Sequence, residues 1–364
     1  FLITTENNRK ESRQAGLVYL LATHISTLLL FGLFTLWQHA TGSYNLQPVA
    51  ERTVSSGLLH AIFFLVLVGF GIKSGIMPFH FWLTGAHATS PSHVSAILSG
   101  VVLKMGIYGF LRFLFLLPTP PPLWGGVLLG LGCLSGVFGV VFALAQHDLK
   151  RLLAYHSVEN IGIILTGLGL AMLGRSTGQP AWIALGLGGC LLHTWNHSIF
   201  KPLLFFGAGS VLHATGTRQL DALGGLARSM PWTAGFFLVG AVAIAGLPPL
   251  NGFISELFIY LGLFRTVGTA GAGGVAVIAT PALALIGALA VACFVKVCGV
   301  VFLGNPRTPA AAAAHEAPLS LRLAMGPLAL CCLAIGLAPF LFAPLLDRVI
   351  LALNPGTSAP VPGL

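Results

Sequence analysis

Between Gly57 and Leu83 the chain reads GLLHAIFFLVLVGFGIKSGIMPFHFWL. The run exceeds the ~20 consecutive apolar residues that a helix needs to cross a bilayer. Its only formal charge is Lys73, followed by Pro78. It does not alternate in character, as the ~10-residue strands of a membrane β-barrel do. One such run defines a transmembrane helix, and the chain holds many. Apolar segments lie at about 16–37, 57–83, 92–117, 123–146, 152–173, 181–212, 231–249, 251–266, 275–303 and 323–345. Short polar, Pro- or Gly-bearing connectors separate most of them, including 84–91, 118–122 and 304–322.

Composition agrees with this reading. Of 364 residues, 56% are hydrophobic and only 7% charged, against about 25% charged in an ordinary soluble domain. Too few charges are present to cover a soluble globule or keep a chain disordered. The fold class that remains is an all-α polytopic transmembrane helix bundle of roughly ten spans. Eighteen Lys and Arg against nine Asp and Glu give +9, yet no basic cluster points to nucleic acid. The excess at span ends is assigned to topogenesis and lipid headgroups. The six cysteines all sit in apolar runs without metal-type spacing, so no disulfide, zinc or redox framework is expected. No cofactor-binding residue is identified. The localisation expected is a prokaryotic plasma (inner) membrane.

The polar opening at 1–15, without an initiator Met, resembles a loop between spans, and Asn354–Leu364 is a Pro/Gly-rich tail. The expectation is a single transmembrane domain over 1–364, part of a longer protein with helices before it and further sequence after it.

Two spans are interrupted, one at Pro78 and one at Pro248-Pro249. Proline removes a backbone donor, and the freed carbonyls must be satisfied by protein or water at membrane depth. Broken helices of this kind build ion sites in transporters. An ordinary proline kink is the competing reading.

Lys73, Lys104 and Lys296 lie inside apolar stretches, where a central Lys costs about 2.5–3.5 kcal/mol even on insertion scales. They are expected to face the bundle interior; snorkelling is the alternative, most available to Lys296. His193, His197 and Lys201 recur every four residues, along one helix face. Two His four apart suggest a metal site, but no adjacent Glu or third ligand accompanies them. Proton exchange is the stronger reading, because imidazole titrates near neutrality and desolvation brings a lysine's proton within reach of exchange. Glu159, near His156, and Glu256 read equally well as relay members, counterions or singly partnered interface residues. Asp148 and Lys150-Arg151 read as a span boundary. His24 and His60, alone on apolar helices, read as structural.

In five motifs, in order, the chain resembles the proton-translocating, antiporter-like subunits of respiratory complex I, Mrp-type sodium/proton antiporters and energy-converting hydrogenases. These are Gly71–Leu83, Ala86–Ala96, Asp148–Ser157, His197–Phe205 and Gly246–Phe253. The run Tyr155–Gly162 is most similar to the large antiporter-like subunit (component B type) of hydrogenase-4 and formate hydrogenlyase. The resemblance implies two inverted repeats, each with a broken helix, joined by a polar mid-membrane axis. It implies a proton relay of Lys73, Lys104, His193, His197, Lys201 and Lys296. Lys150 falls near another relay lysine of the family, with the boundary reading still open; His156, Glu159 and Glu256 stay relay members or counterions on the reading of the residues alone. It also implies a glutamate partner for Lys73 on a preceding helix. No intramembrane Glu precedes Lys73, since Glu6, Glu11 and Glu51 lie in polar stretches; on the longer-protein reading that residue lies upstream.

The function expected is a non-redox, proton-pumping membrane subunit of a hydrogenase-4-like or complex I-like oxidoreductase. Its partners would be other membrane subunits and a hydrophilic redox arm, hydrogenase-like or NADH dehydrogenase-like. The alternatives are an Mrp-type antiporter subunit moving Na+ against protons, and a non-conducting membrane scaffold.

Overall fold

The computed structural model describes residues 2–4, 9–49 and 54–355. Glu6, Glu51 and the tail beyond 355 lie outside the described residues. The first helices are α1 (Lys10–Thr41), α2 (Ser56–Ser74), α3 (Leu83–Thr89), α4 (Ser92–Ile97) and α5 (Leu103–Leu116). The long central ones follow: α6 (Pro122–Leu144), α7 (Leu149–Thr177) and α8 (Pro180–Thr215). A short α9 (Leu226–Ser229) leads to α10 (Pro231–Ile244) and α11 (Asn251–Phe264). The remainder is α12 (Ala272–Val277), α13 (Ala279–Phe302), α14 (Pro309–Ala312), α15 (Leu319–Leu337) and α16 (Ala343–Leu353).

Among the described residues, seven helices, with Ser56–Thr89 and Ser92–Leu116 each taken as one, are long and apolar enough to cross a membrane. The 36-residue α8 is long enough as well, but its polar side chains dilute its hydropathy. α10 and α11 have 14 residues each, about 21 Å of helix at 1.5 Å per residue, too short to span alone. The segments at 231–249 and 251–266 are therefore two halves of one broken crossing, giving nine crossings among the described residues. The chain is an integral membrane protein with an all-α architecture.

The two breaks share a local form. Gly75 (φ 72°) precedes a cis Met77–Pro78 bond, and Gly246 (φ 63°) precedes a cis Pro248–Pro249 bond. In each, the left-handed glycine stands three residues before the cis proline. Side chains satisfy backbone freed at the first break: the Trp82 indole donates to the Ile72 carbonyl (2.8 Å), and the Met77 amide donates to Ser135 Oγ (3.0 Å). The connector expected at 84–91 is largely helix, because α3 completes the crossing that α2 begins.

α7 is buried on every side along its apolar stretch. α6 lies along it through glycines seven residues apart. A Cβ on Gly125, Gly132 or Gly139 would fall 2.6–2.7 Å from the backbone amides of Leu173, Thr166 and Glu159. Small residues that let backbones approach are the usual basis of helix association in lipid. The centre of the bundle is thus one helix whose polar side chains no lipid can reach.

Candidate functional site

Buried on α7, in chain order, are Lys150, His156, Ser157, Glu159 and Asn160. α8 faces it with His193, Asn196, His197 and Lys201, all fully buried. The four-residue spacing does put His193, His197 and Lys201 on one face, and that face is turned inward. Lys201 Nζ donates to the Leu153 carbonyl and lies 5.7 Å from the Phe205 ring centroid. The Ser157 hydroxyl shares the Leu153 carbonyl at 3.4 Å and pairs with Ser99 Oγ at 2.9 Å.

Lys104 enters from α5, just after a π turn at Leu98–Val102. Such turns release carbonyls from the regular ladder, and Lys104 Nζ contacts both the Ser99 carbonyl and His197 Nδ1. Gly100 in that turn packs against Pro202 of α8, where a Cβ would come within 2.7 Å of the proline ring.

His193 anchors the far end. Its Nε2 lies 3.0 Å from Asn160 Oδ1 and its Nδ1 2.9 Å from Ser255 Oγ on α11. Asn160 Nδ2 donates to the His156 carbonyl (2.7 Å), which fixes the amide and aims its oxygen at His193. That assigns a proton to Nε2. Ser255 also reaches the Gly252 carbonyl at 2.9 Å. Its single hydrogen serves Nδ1 when the imidazole is neutral, and Gly252 when Nδ1 carries its own proton. Asn196 bonds the Asn251 carbonyl (2.7 Å) and Ser255 (3.1 Å), tying α8 to the first turn after the second break. No three His, Cys, Asp or Glu side chains among the described residues converge on a metal position.

Lys150, read as a boundary residue or a relay member, is 1% exposed and donates to the Ser90 carbonyl. It lines a cavity of about 430 Å³ at the end of the bundle, with Arg9, Glu11, Ser12, Thr89 and Arg218. Beside it Asp148 caps α7, accepting from the amides of Lys150 and Arg151 at 3.0 Å, and pairs with Arg218. Glu256 is 7% exposed, packs against Gly246 at the second break, and lines a separate cavity of about 320 Å³ with Tyr260 and Gly287.

Two expected relay lysines stand apart. Lys73 is half-buried in the last turn of α2 and makes no hydrogen bond or ion pair among the described residues. Lys296 caps the end of α6, donating to the carbonyls of Leu144 (2.8 Å) and Gln146 (3.1 Å). A cation at carbonyls left over at a helix C-terminus is favoured by the backbone dipole, so its contacts are those of a clasp between α13 and α6.

One group was passed over in the sequence. His87 on α3 is fully buried, neither ring nitrogen has a hydrogen-bond partner among the described residues, and its ring stacks on Phe205 at 4.9 Å. It lies within electrostatic range of Lys150, Lys104 and Lys201, between the cavity and the centre. Its signal lay in the Ala86–Ala96 motif, hidden by reading 84–91 as a loop. His60 accepts from the Trp124 indole at 2.9 Å, a structural role.

Residues 1–280 match the family described as NADH:quinone oxidoreductase/Mrp antiporter, TM. The chain is 42% identical over 352 residues to hydrogenase-4 component B of Escherichia coli, covering 94% of this chain and 52% of that protein. It is also 42% identical over 350 residues to formate hydrogenlyase subunit 3 of the same organism, covering 95% and 57%. It therefore spans little more than half the length of these curated relatives. Its fold superposes on a chain of the Mrp complex from Dietzia sp. DQ12-45-1b with a TM-score of 0.80 at 24% identity, covering 96% of this chain and 70% of that one.

Proposed function

The chain belongs to the NADH:quinone oxidoreductase/Mrp antiporter transmembrane family, and from that premise we propose that it conducts protons as a membrane subunit of a hydrogenase-4-like oxidoreductase complex. Its partners are other membrane subunits and a hydrophilic redox arm, whose released energy drives the proton movement. The identity to hydrogenase-4 component B and formate hydrogenlyase subunit 3 supports that assembly over a stand-alone Mrp-type antiporter.

The observation that carries the reading is the contact of part-buried Lys104 with fully buried His197, near fully buried Lys201, with no carboxylate in contact among the described residues. Fixed charges there would be costly unless paired. Groups that take up and release a proton in turn avoid carrying that charge permanently, and imidazole and amine both do so. Lys150 at the cavity and His87 beyond it extend the series to one face of the bundle; His193 and Ser255 extend it to the second break. Lys73, Lys296 and Glu256 belong to the proposed relay as outlying members, apart from this central cluster.

Lys201→Ala in the intact membrane complex is expected to abolish proton pumping while assembly and redox turnover persist. Inverted vesicles with a pH-sensitive dye read this directly, and pumping equal to wild type refutes the proposal. Sodium-dependent proton exchange without the redox partner would favour the Mrp-type reading.

A further inference from the structure

Beside the main series, where α7 meets α13, His156 Nδ1 and Glu159 Oε2 are in direct hydrogen-bond contact, with side chains 0% and 1% exposed. Glu159 Oε1 meets no hydrogen-bond partner among the described residues, and the Cys293 thiol faces the His156 ring. Phe294 lies 4.6 Å from the imidazole centroid, and buried Cys293 is its neighbour on α13. On the opposite side α6 presses so close that a Cβ on Gly139 would sit 2.6 Å from the Glu159 amide nitrogen. Lys201 is within electrostatic range of both members of the pair.

Charge counting limits what this arrangement can hold. Stripped of mobile protons, the pair carries −1 and Lys201 carries none. Two added protons would leave +1 buried. With one added proton the three groups are neutral together, and neutrality is what a dry interior rewards. That proton has two homes. On the pair it makes a neutral imidazole beside a carboxylic acid, or the equivalent imidazolium and carboxylate. On Lys201 it makes an ammonium facing a singly negative pair.

We propose that His156 and Glu159 form a proton-holding dyad that exchanges a single proton with Lys201. The inference rests on the proton-conducting reading and adds a site to it. One O–H or N–H bond on the dyad breaks as one N–H bond forms on Lys201, and no other reactant is consumed. Ser157, next to His156 in the chain, shares the Leu153 carbonyl with Lys201 Nζ.

Infrared difference spectra of the turning-over complex test this. The wild type is expected to show a carboxylic C=O change that Glu159→Gln removes, together with a lower yield of pumped protons per electron. Lys201→Met leaves the carboxyl intact but gives its proton no destination, so the C=O change should vanish there too, with the carboxyl itself still present. Should Glu159→Gln fail to assemble, Lys201→Met and wild type decide the matter. No carboxyl change in wild type, or one that survives Lys201→Met, overturns the proposal. If Lys201→Ala pumps like wild type, the function itself fails. If Lys201→Ala stops pumping while Glu159→Gln keeps its band and proton yield, only the dyad fails.

Discussion

Glu316 shows how much a single side chain can do outside the membrane. From the 304–318 connector it accepts hydrogen bonds at the start of α10: the Trp232 amide at 2.8 Å, the Thr233 amide at 3.4 Å and the Thr233 hydroxyl at 2.6 Å. The Ala317 amide adds a fourth at 2.8 Å. Burial pushes the carboxyl up, but these four donors outweigh it and hold it below the usual carboxylate range. A lowered folded value means stability that is present above the unfolded pKa of about 4.3 and lost as pH falls through the folded one. Glu316→Gln should therefore cost about 1 kcal/mol, as a lost N-cap does, at neutral pH. Melting curves of the purified protein should show that gap narrowing as pH drops below about 4; a gap independent of pH refutes the assignment. Neither this contact nor the role of His87 was legible in the sequence, because Glu316 meets residues more than eighty positions away and His87 meets Phe205 and Lys201 from a distant helix.

At the scale of elements, the α6–α7 seam is packed backbone against backbone. Gly162 faces Gly136 so closely that a Cβ would fall 2.4 Å from the Gly136 nitrogen. Both contacting groups are backbone, so neither can swing aside, and overpacking of this kind costs about 1–3 kcal/mol or more. Gly162→Val should lower the thermal midpoint sharply in a detergent stability assay, whereas Gly126→Val, with nothing near its Cβ, should leave it unchanged. Equal midpoints would show that the seam is not tightly packed. The spans themselves were readable from hydropathy, and Pro78 and Pro248-Pro249 marked both breaks. The span broken at Pro248-Pro249 was readable as interrupted, but its halves at 231–249 and 251–266 also counted as separate segments, and only the 14-residue lengths of α10 and α11 make them one crossing. Basic side chains closing helix ends were likewise opaque: Arg175 donates to Leu114 and Leu117, Lys296 to Leu144 and Gln146, Arg307 to Leu223 and Val300.

For the whole molecule, alternating crossings put the start of α1, the end of α3, the start of α7 and the end of α8 on one face, the face of the Lys150 cavity. That face carries Arg9, Lys10, Arg13, Arg151, Arg218, Arg228, Arg307 and Arg322; the other carries Arg112, Arg175, Arg265 and Arg348. Lys and Arg gather on the cytoplasmic side of membrane proteins, so the cavity should open to the cytoplasm. On a background without native cysteines, Tyr44→Cys should react with an impermeant maleimide in intact cells and Ala313→Cys only after permeabilisation. The reverse pattern would invert the topology. The sequence by itself determined the solvent, the helical class, the breaks and the inward stripe of His193, His197 and Lys201, because bilayer thickness and helical period act on consecutive residues. Only the packing buries Lys150 and His87 within electrostatic range of one another, sets Lys296 on the carbonyls at a helix end, and pairs His156 with Glu159 within electrostatic range of Lys201. A buried charge is defined by what surrounds it, and what surrounds these comes from helices far apart in the chain.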